Sequence, residues 1–262
     1  MGGMLPVNMT DWVALDGRVA VVTGGGSGIG AGIATVLAKA GALVVIADRN
    51  EAGARREATA LTETGHQADW IVVDVAEEAS IVKACAQIIE RHGAPWLLVN
   101  NAGVHDREEL LDVTSAEWDR IVAINARGPV LMGREIARAM VAAGKGGRIV
   151  NVASNCVLGP MVTGHSSYAS SKGAMVAFST VAAFELVAHN ITVNSVLPGG
   201  VYTPGAANAR GPAPHGPAHS RRPPLGICEP KDIAAAVLFF ATPAARYITN
   251  QSIAVDAGFS LT

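Results

Sequence analysis

The stretch Thr23-Gly-Gly-Gly-Ser-Gly-Ile-Gly30 lies between a short β-branched run, Arg18-Val-Ala-Val-Val-Thr23, and a segment of helical period from Ile29 to Ala40. Strand, glycine turn and helix in that order constrain the fold more than anything else in the chain. Glycines permit a tight turn and a close approach of the backbone to a bound group. The free amides and the dipole at the start of the next helix then favour an anion such as a diphosphate. Gly24, Ser27, Gly28, Ile29 and Gly30 are therefore candidate dinucleotide-binding residues.

The same rhythm continues along the chain. Apolar strands are expected at Ala42–Ala47, Asp69–Asp74, Trp96–Asn100, Gly147–Val152, Ile191–Val196 and Ser252–Asp256. Helices are expected at Asn50–Thr64, Ser80–Arg91, Ser115–Ala143, Tyr168–Ala188 and Pro230–Ala241. Unbroken apolar runs are the mark of strands buried on both faces. With right-handed crossovers, this alternation predicts an α/β fold, a single-domain doubly wound Rossmann arrangement over residues 1–262 with a seven-stranded parallel sheet flanked by helices. Residues 1–14 read as an N-terminal tail. Residues 203–230, rich in Gly, Ala, Pro, Arg and His and without a period, read as a substrate-binding loop at the carboxyl edge of the sheet.

A hydrophobic content of 50% excludes disorder for most of the length, and a formal net charge of −2 gives no electrostatic footprint for nucleic acid. Arg221-Arg222 is too short to count as a basic tract. Cys85, Cys156 and Cys228 are too few and too scattered for a disulfide framework or a zinc site, so a reducing compartment is expected. Met1–Asp16 has neither a basic nor an apolar signal region, and no uncharged apolar run approaches the roughly 20 residues of a membrane span. The expectation is a cytoplasmic protein without membrane partners.

Asp48 closes the second apolar run, 18 residues beyond Gly30. An acidic side chain there can accept hydrogen bonds from both adenosine ribose hydroxyls and would repel a 2′-phosphate, which favours NAD over NADP. Arg49 beside it is the counter-signal for NADP. Further along, Tyr168-Ala-Ser-Ser-Lys172 puts a phenol and an ammonium on one helix face. The ammonium is expected to lower the phenol's pKa towards working pH, so that it can exchange a proton with an alcohol or ketone.

Taken with Asp74, Asn100-Asn-Ala-Gly103, Asn125, Ser154 and Pro198-Gly199 in that order, these motifs make the chain resemble the short-chain dehydrogenase/reductase family from Leu15 to Gly258. The resemblance implies a catalytic tetrad: Tyr168 as general acid/base, Lys172 to tune the phenol and hold the nicotinamide ribose, Ser154 on the substrate oxygen, and Asn125 positioning a water that relays protons. It also implies cofactor contacts from Asp74, Val75, Asn101, Ala102, Gly103, Pro198, Gly199, Val201 and Thr203. Asn125 bonding its own helix, Ser154 capping a turn and Asp74 capping the next helix are the structural alternatives.

Some positions depart from the family pattern. Ser154 and Tyr168 are 14 apart, where the family usually has 13, which leaves Asn155 at the usual offset and implies one extra residue in the intervening loop. Trp96 stands where the family often has Asp, and Asn250 and Ala257 where it often has Gly. His105, Asn155 and His165 are candidate substrate contacts, with Cys156 and Met161 also lining the pocket. His215 and His219 lie in a Pro-rich loop that offers no helical metal face, and no catalytic metal is expected. The resemblance also implies a homotetramer, with a dimer second, through the helix carrying Val176, Phe178, Val181 and Phe184 and the C-terminal strand. The leading expectation is NAD-dependent interconversion of a secondary alcohol or polyol and its ketone. The alternatives are an NADPH-dependent 3-oxoacyl-type ketoreductase and a non-catalytic nucleotide sensor.

Overall fold

The computed structural model describes residues 12–159, 162–216 and 219–262; residues 1–11 of the tail and Met161 lie outside the described residues. Seven parallel strands form one sheet: β1 (Val19–Thr23), β2 (Leu43–Asp48), β3 (Ala68–Val72), β4 (Leu97–Asn100), β5 (Gly147–Val152), β6 (Ile191–Pro198) and β7 (Ser252–Val255). Their spatial order is β3-β2-β1-β4-β5-β6-β7. The order reverses between β1 and β4, the switch point at whose carboxyl ends such sheets open a ligand crevice.

Neighbouring strand residues serve opposite cores, which explains the unbroken apolar runs. Val22, Val44 and Leu97 pack with α1 (Gly28–Lys39), α2 (Glu51–Glu63) and the C-terminal helix Pro230–Ala241. Val21, Val45 and Leu98 pack instead with α3 (Glu78–His92), α5 (Gly128–Ala143) and α6 (Ser166–Leu186). Between α3 and α5 lies the short α4 (Ser115–Val122).

Several boundaries differ from the sequence expectation, each for a local reason. Asn50 lies outside α2, because its side chain accepts from Gly53 N at 3.2 Å and caps the helix. β3 ends at Val72 rather than Asp74, whose carboxylate turns back to accept from Ala76 N at 2.9 Å. The helix expected over Ser115–Ala143 is interrupted by a π turn at Ala123–Arg127. Pro129 has no N–H to return to the carbonyl four residues back, which favours this wider register just before α5.

Within the 203–230 loop, α7 (Pro204–Ala207) is a single turn capped by Thr203. α8 (Pro230–Ala241) follows and starts in a Glu229–Asp232 capping box. Trp96 donates its indole N–H to Ala241 O at 3.0 Å and stacks under Arg18 at 3.6 Å and Arg148 at 4.5 Å. Aromatic stacking thus takes the place of a carboxylate there. By length and composition alone the segment Ser166–His189 could cross a membrane, although Lys172 and Glu185 interrupt it, in keeping with the expected lack of an uncharged apolar run of that length. Its inward residues Ser167, Ser171, Lys172, Met175 and Ser179 are nonetheless buried in the protein.

Candidate active site

At the carboxyl edge of the sheet a cavity of about 1270 Å³ runs from the glycine turn past Tyr168 to the 203–230 loop. All the candidate cofactor residues line it: Gly24, Ser27, Gly28, Ile29, Gly30, Asp48, Arg49, Asp74, Val75, Asn101, Ala102, Gly103, Pro198, Gly199, Val201 and Thr203. His105, Ser154, Asn155, Cys156, His165, Tyr168 and Lys172 line it as well, whereas Asn125 stands behind the wall, fully buried.

The glycine turn is pinned from below. Thr23 Oγ1 accepts from Asn101 N and Ala102 N, both at 3.0 Å, while Asn101 Nδ2 donates to Thr23 O at 2.9 Å. A Cβ on Gly30 would sit 2.1 Å from Gly24 O, so the turn has no room for a side chain there. Ser27 makes no side-chain cap and the first turn of α1 holds no acid. Its leading amides are therefore available to an anion. At the far end, Asp48 accepts from Gly26 N and Asn50 N, each at 2.9 Å. Two fixed carboxylate oxygens keep lone pairs for further donors. A glycine cradle, an uncapped helix start and an oriented carboxylate fit the diphosphate and ribose of a dinucleotide.

At the other end, α6 carries Tyr168 and Lys172. The Lys172 ammonium donates to Val152 O at 2.9 Å, and burial lowers its pKa to about 8. Burial also pushes the Tyr168 phenol above its ordinary value; the nearby Cys156 thiol adds to this and a hydrogen bond with Ser154 opposes it. The expected lowering of the phenol by Lys172 is not among the influences on it; burial, the largest of them, acts in the opposite direction. Burial likewise raises the Cys156 thiol.

Ser154 accepts from Cys156 N at 3.2 Å, capping the 3-10 turn Asn155–Leu158. It performs the capping role named as its structural alternative while also facing the cavity. Asn155 donates its amide to Asp256 at 3.3 Å, so that nitrogen is already engaged. His165 packs its ring 5.2 Å from that of Tyr168, with His105 at 6.1 Å on another side. Burial, with smaller contributions from His105 and Arg107, lowers His165 to about 4, so its ring is neutral at pH 7; its Nδ1 is buried without a partner among the described residues.

Asn125 does not bond its own helix. Its Oδ1 accepts from Val104 N at 2.9 Å, and its Nδ2 donates to Val104 O at 2.8 Å and Ser171 Oγ at 3.1 Å. A Cβ on Gly103 would lie 3.2 Å from Asn125 Oδ1 and 3.3 Å from Lys172 Nζ, so Gly103 is where the two side chains meet.

Sequence reasoning assigned no role to Thr23, although it quoted the residue within the glycine motif. It also missed the ion cluster at the mouth, where Arg210 reaches Asp106 at 3.0 Å and Glu117 at 3.2 Å, and Arg120 pairs with both acids. Arg107 N donates to Arg210 O at 2.9 Å, so the 203–230 loop is fastened to the chain after β4. No local pattern announces a pairing across 104 residues.

A family model described as Enoyl-(Acyl carrier protein) reductase matches residues 24–260. Sorbitol dehydrogenase of Cereibacter sphaeroides is 34% identical over 93% of this chain and 98% of its own length. Cis-4-hydroxycyclohexanecarboxylate dehydrogenase of Sinomonas cyclohexanicum is 38% identical over 93% of this chain and 96% of its own. Among solved structures, a gluconate 5-dehydrogenase from Burkholderia cenocepacia J2315 in complex with NADP and tartrate superposes with a TM-score of 0.88 at 31% identity, over 97% of this chain and 100% of that one. Fold, site and relatives define an oxidoreductase that acts on alcohol groups with a nicotinamide cofactor. The chain belongs to the short-chain dehydrogenase/reductase family.

Proposed function

We propose that the protein interconverts a secondary alcohol or polyol and its ketone with NAD. The observation that carries this reading is one cavity with Asp48 at one end and Ser154, Tyr168 and Lys172 at the other. Bound at the glycine turn, the nicotinamide nucleotide supplies the hydride acceptor. Tyr168 takes the hydroxyl proton of the substrate as general base and returns it in the reverse direction. Ser154 hydrogen-bonds the same oxygen as charge develops on it. Lys172 holds the nicotinamide ribose beside Tyr168. Asn125 holds the Gly103–Val104 segment against Lys172, and the proton relay to solvent is assigned to this corner.

Asp48 supports NAD because its oriented carboxylate can receive both ribose hydroxyls and repels a 2′-phosphate. Asp74, Val75, Asn101, Ala102, Pro198, Val201 and Thr203 complete the cofactor contacts along the wall. His165, whose neutral ring lines the cavity, orients a second substrate hydroxyl together with His105. Relatives named for sorbitol and for a hydroxycyclohexanecarboxylate support polyol or cyclic alcohol substrates. A second reading, an NADPH-dependent ketoreductase, draws on Arg49 beside Asp48 and on the NADP complex of the Burkholderia relative.

For assembly we propose a homotetramer. Phe184 is 83% exposed, with Val181 and Val187 also exposed along the α6 face, and β7 is an open sheet edge flanked by exposed Tyr247 and Leu261. Two separate apolar faces suit two symmetric contacts with copies of the chain. Val176 and Phe178, also expected on this surface, are partly buried against the core.

An absorbance screen at the nicotinamide band tests the reaction, with alcohols, polyols and hydroxy acids offered with NAD or NADP and ketones with the reduced forms. NAD-linked turnover of an alcohol class is expected. Turnover confined to NADPH and acyl-type ketones would favour the second reading.

A further inference from the structure

On that reading of the site, we infer that the substrate carries a carboxylate beside the alcohol, and that Arg221 and Arg222 at the cavity mouth receive it. Two acids on the cavity wall, Asp48 and Asp74, belong to the cofactor half, with Arg49 beside them. The third, Asp106, lies at the substrate end and is matched already: it accepts from Arg210 Nε at 3.1 Å and also pairs with Arg120. Both arginines share Glu117 as well.

Arg107, Arg221 and Arg222 remain. None has a carboxylate within ion-pair distance among the described residues. Arg107 Nε donates to Pro212 O at 2.8 Å, and Arg222 donates to the carbonyls of His219 and Arg221.

The loop that carries the arginine pair is anchored on the Ser154 side. Leu225 N donates to Ala257 O at 3.1 Å, and the adjacent Asp256 holds Asn155, the neighbour of Ser154. From the other side, Thr163 N donates to His215 O at 3.0 Å, two residues before His165. Three guanidiniums without a carboxylate partner among the described residues therefore line the cavity, two of them on a loop anchored on either side of the pair near Asn155 and His165.

Such a rim repels cations and concentrates anions, and a cleft with low-dielectric walls strengthens the effect. The planar fork of arginine matches a carboxylate through two parallel hydrogen bonds, which a neutral hydroxyl cannot return. A hydroxy acid is the substrate class that uses both the Tyr168 chemistry and this rim. The same guanidiniums could meet a phosphate of the cofactor, and the test separates the two.

Initial rates with NAD are measured for 3-hydroxybutyrate and 4-hydroxycyclohexanecarboxylate against their primary amides, in the native protein and in the Arg221→Gln/Arg222→Gln double variant. The acid is expected to exceed its amide at least tenfold in kcat/KM. The double variant is expected to lose that preference through a raised KM for the acid, and added salt to erode it in the native protein. Amides turned over as well as acids, or a preference that survives the double variant, would overturn the inference. NAD affinity is titrated in the same variant; a loss there with acid preference intact would reassign the pair to the cofactor phosphates and overturn it too. If NAD binds and no alcohol turns over, the reaction reading fails by itself. Malonate titrated calorimetrically into the NAD complex then decides the anion site: binding lost in the double variant upholds it, and no binding to the native protein refutes it.

Discussion

Lys172 donates its ammonium to the main-chain carbonyl of Val152 at 2.9 Å, at the end of β5 and one turn of α6 beyond Tyr168. The contact gives the buried cation a partner but not a counter-charge, and its pKa falls from 10.5 to about 8. Between those values the unfolded chain binds more protons at this residue than the folded one, so its contribution to stability rises with pH across that window. Lys172→Met lacks the titration. Urea unfolding of both proteins from pH 8 to 9.5 should show the native protein gaining on the variant by up to about 1.4 kcal/mol per pH unit. Parallel curves would mean that Lys172 keeps an ordinary pKa in the fold.

Asp48 is held by Gly26 N and Asn50 N in the orientation a ribose diol needs. Asp48→Ala should lower NAD affinity and narrow the gap between NAD and NADP by at least tenfold, about 1.4 kcal/mol, in a fluorescence titration of the reduced cofactors. An unchanged ratio would mean that the ribose is recognised elsewhere.

Ala257 takes a left-handed φ of +54°, and Asn250 one of +56°. Asn tolerates that region, whereas Ala crowds its Cβ against the following carbonyl. Ala257→Gly should therefore stabilise the fold by about 0.5–1 kcal/mol, the relieved strain exceeding the added freedom of the unfolded chain. Thermal unfolding of the variant checks this, and Asn250→Gly should change little.

Phe184 projects from α6 with 83% of its surface exposed. In the homotetramer proposed above it faces a second copy of the chain, so Phe184→Arg should lower the mass seen by light scattering while leaving far-ultraviolet dichroism unchanged. The native mass in the variant would move the contact to another face.

The sheet was legible because β1, β2, β4, β5 and β6 lie between two helical layers, which forces the unbroken apolar runs read from residues such as Val21-Val22 and Leu97-Leu98. The glycine turn and the Tyr168–Lys172 spacing were legible for the same kind of reason, since each is local geometry. The π turn at Ala123–Arg127 was not, because one added residue in a helix leaves its apolar pattern almost unchanged, and only Pro129 hints at it. Spacing alone did not decide between Ser154 and Asn155, and the bond that engages the Asn155 amide, to Asp256 101 residues away, has no local sequence signal. The mouth was the least legible part. Asp106 and Arg210 belong to segments without periodicity, and their pairing exists only once the sheet brings the carboxyl ends of β4 and β6 to one edge.

The central claim is that Tyr168 carries the proton in an alcohol–ketone conversion. Its most direct test is Tyr168→Phe, with NAD affinity by titration and turnover of the best alcohol from the absorbance screen measured on one preparation. The account predicts NAD affinity within about threefold of the native protein and turnover reduced at least a hundredfold, since general acid/base groups contribute roughly 10²–10⁴. Turnover near the native rate with NAD bound would contradict it.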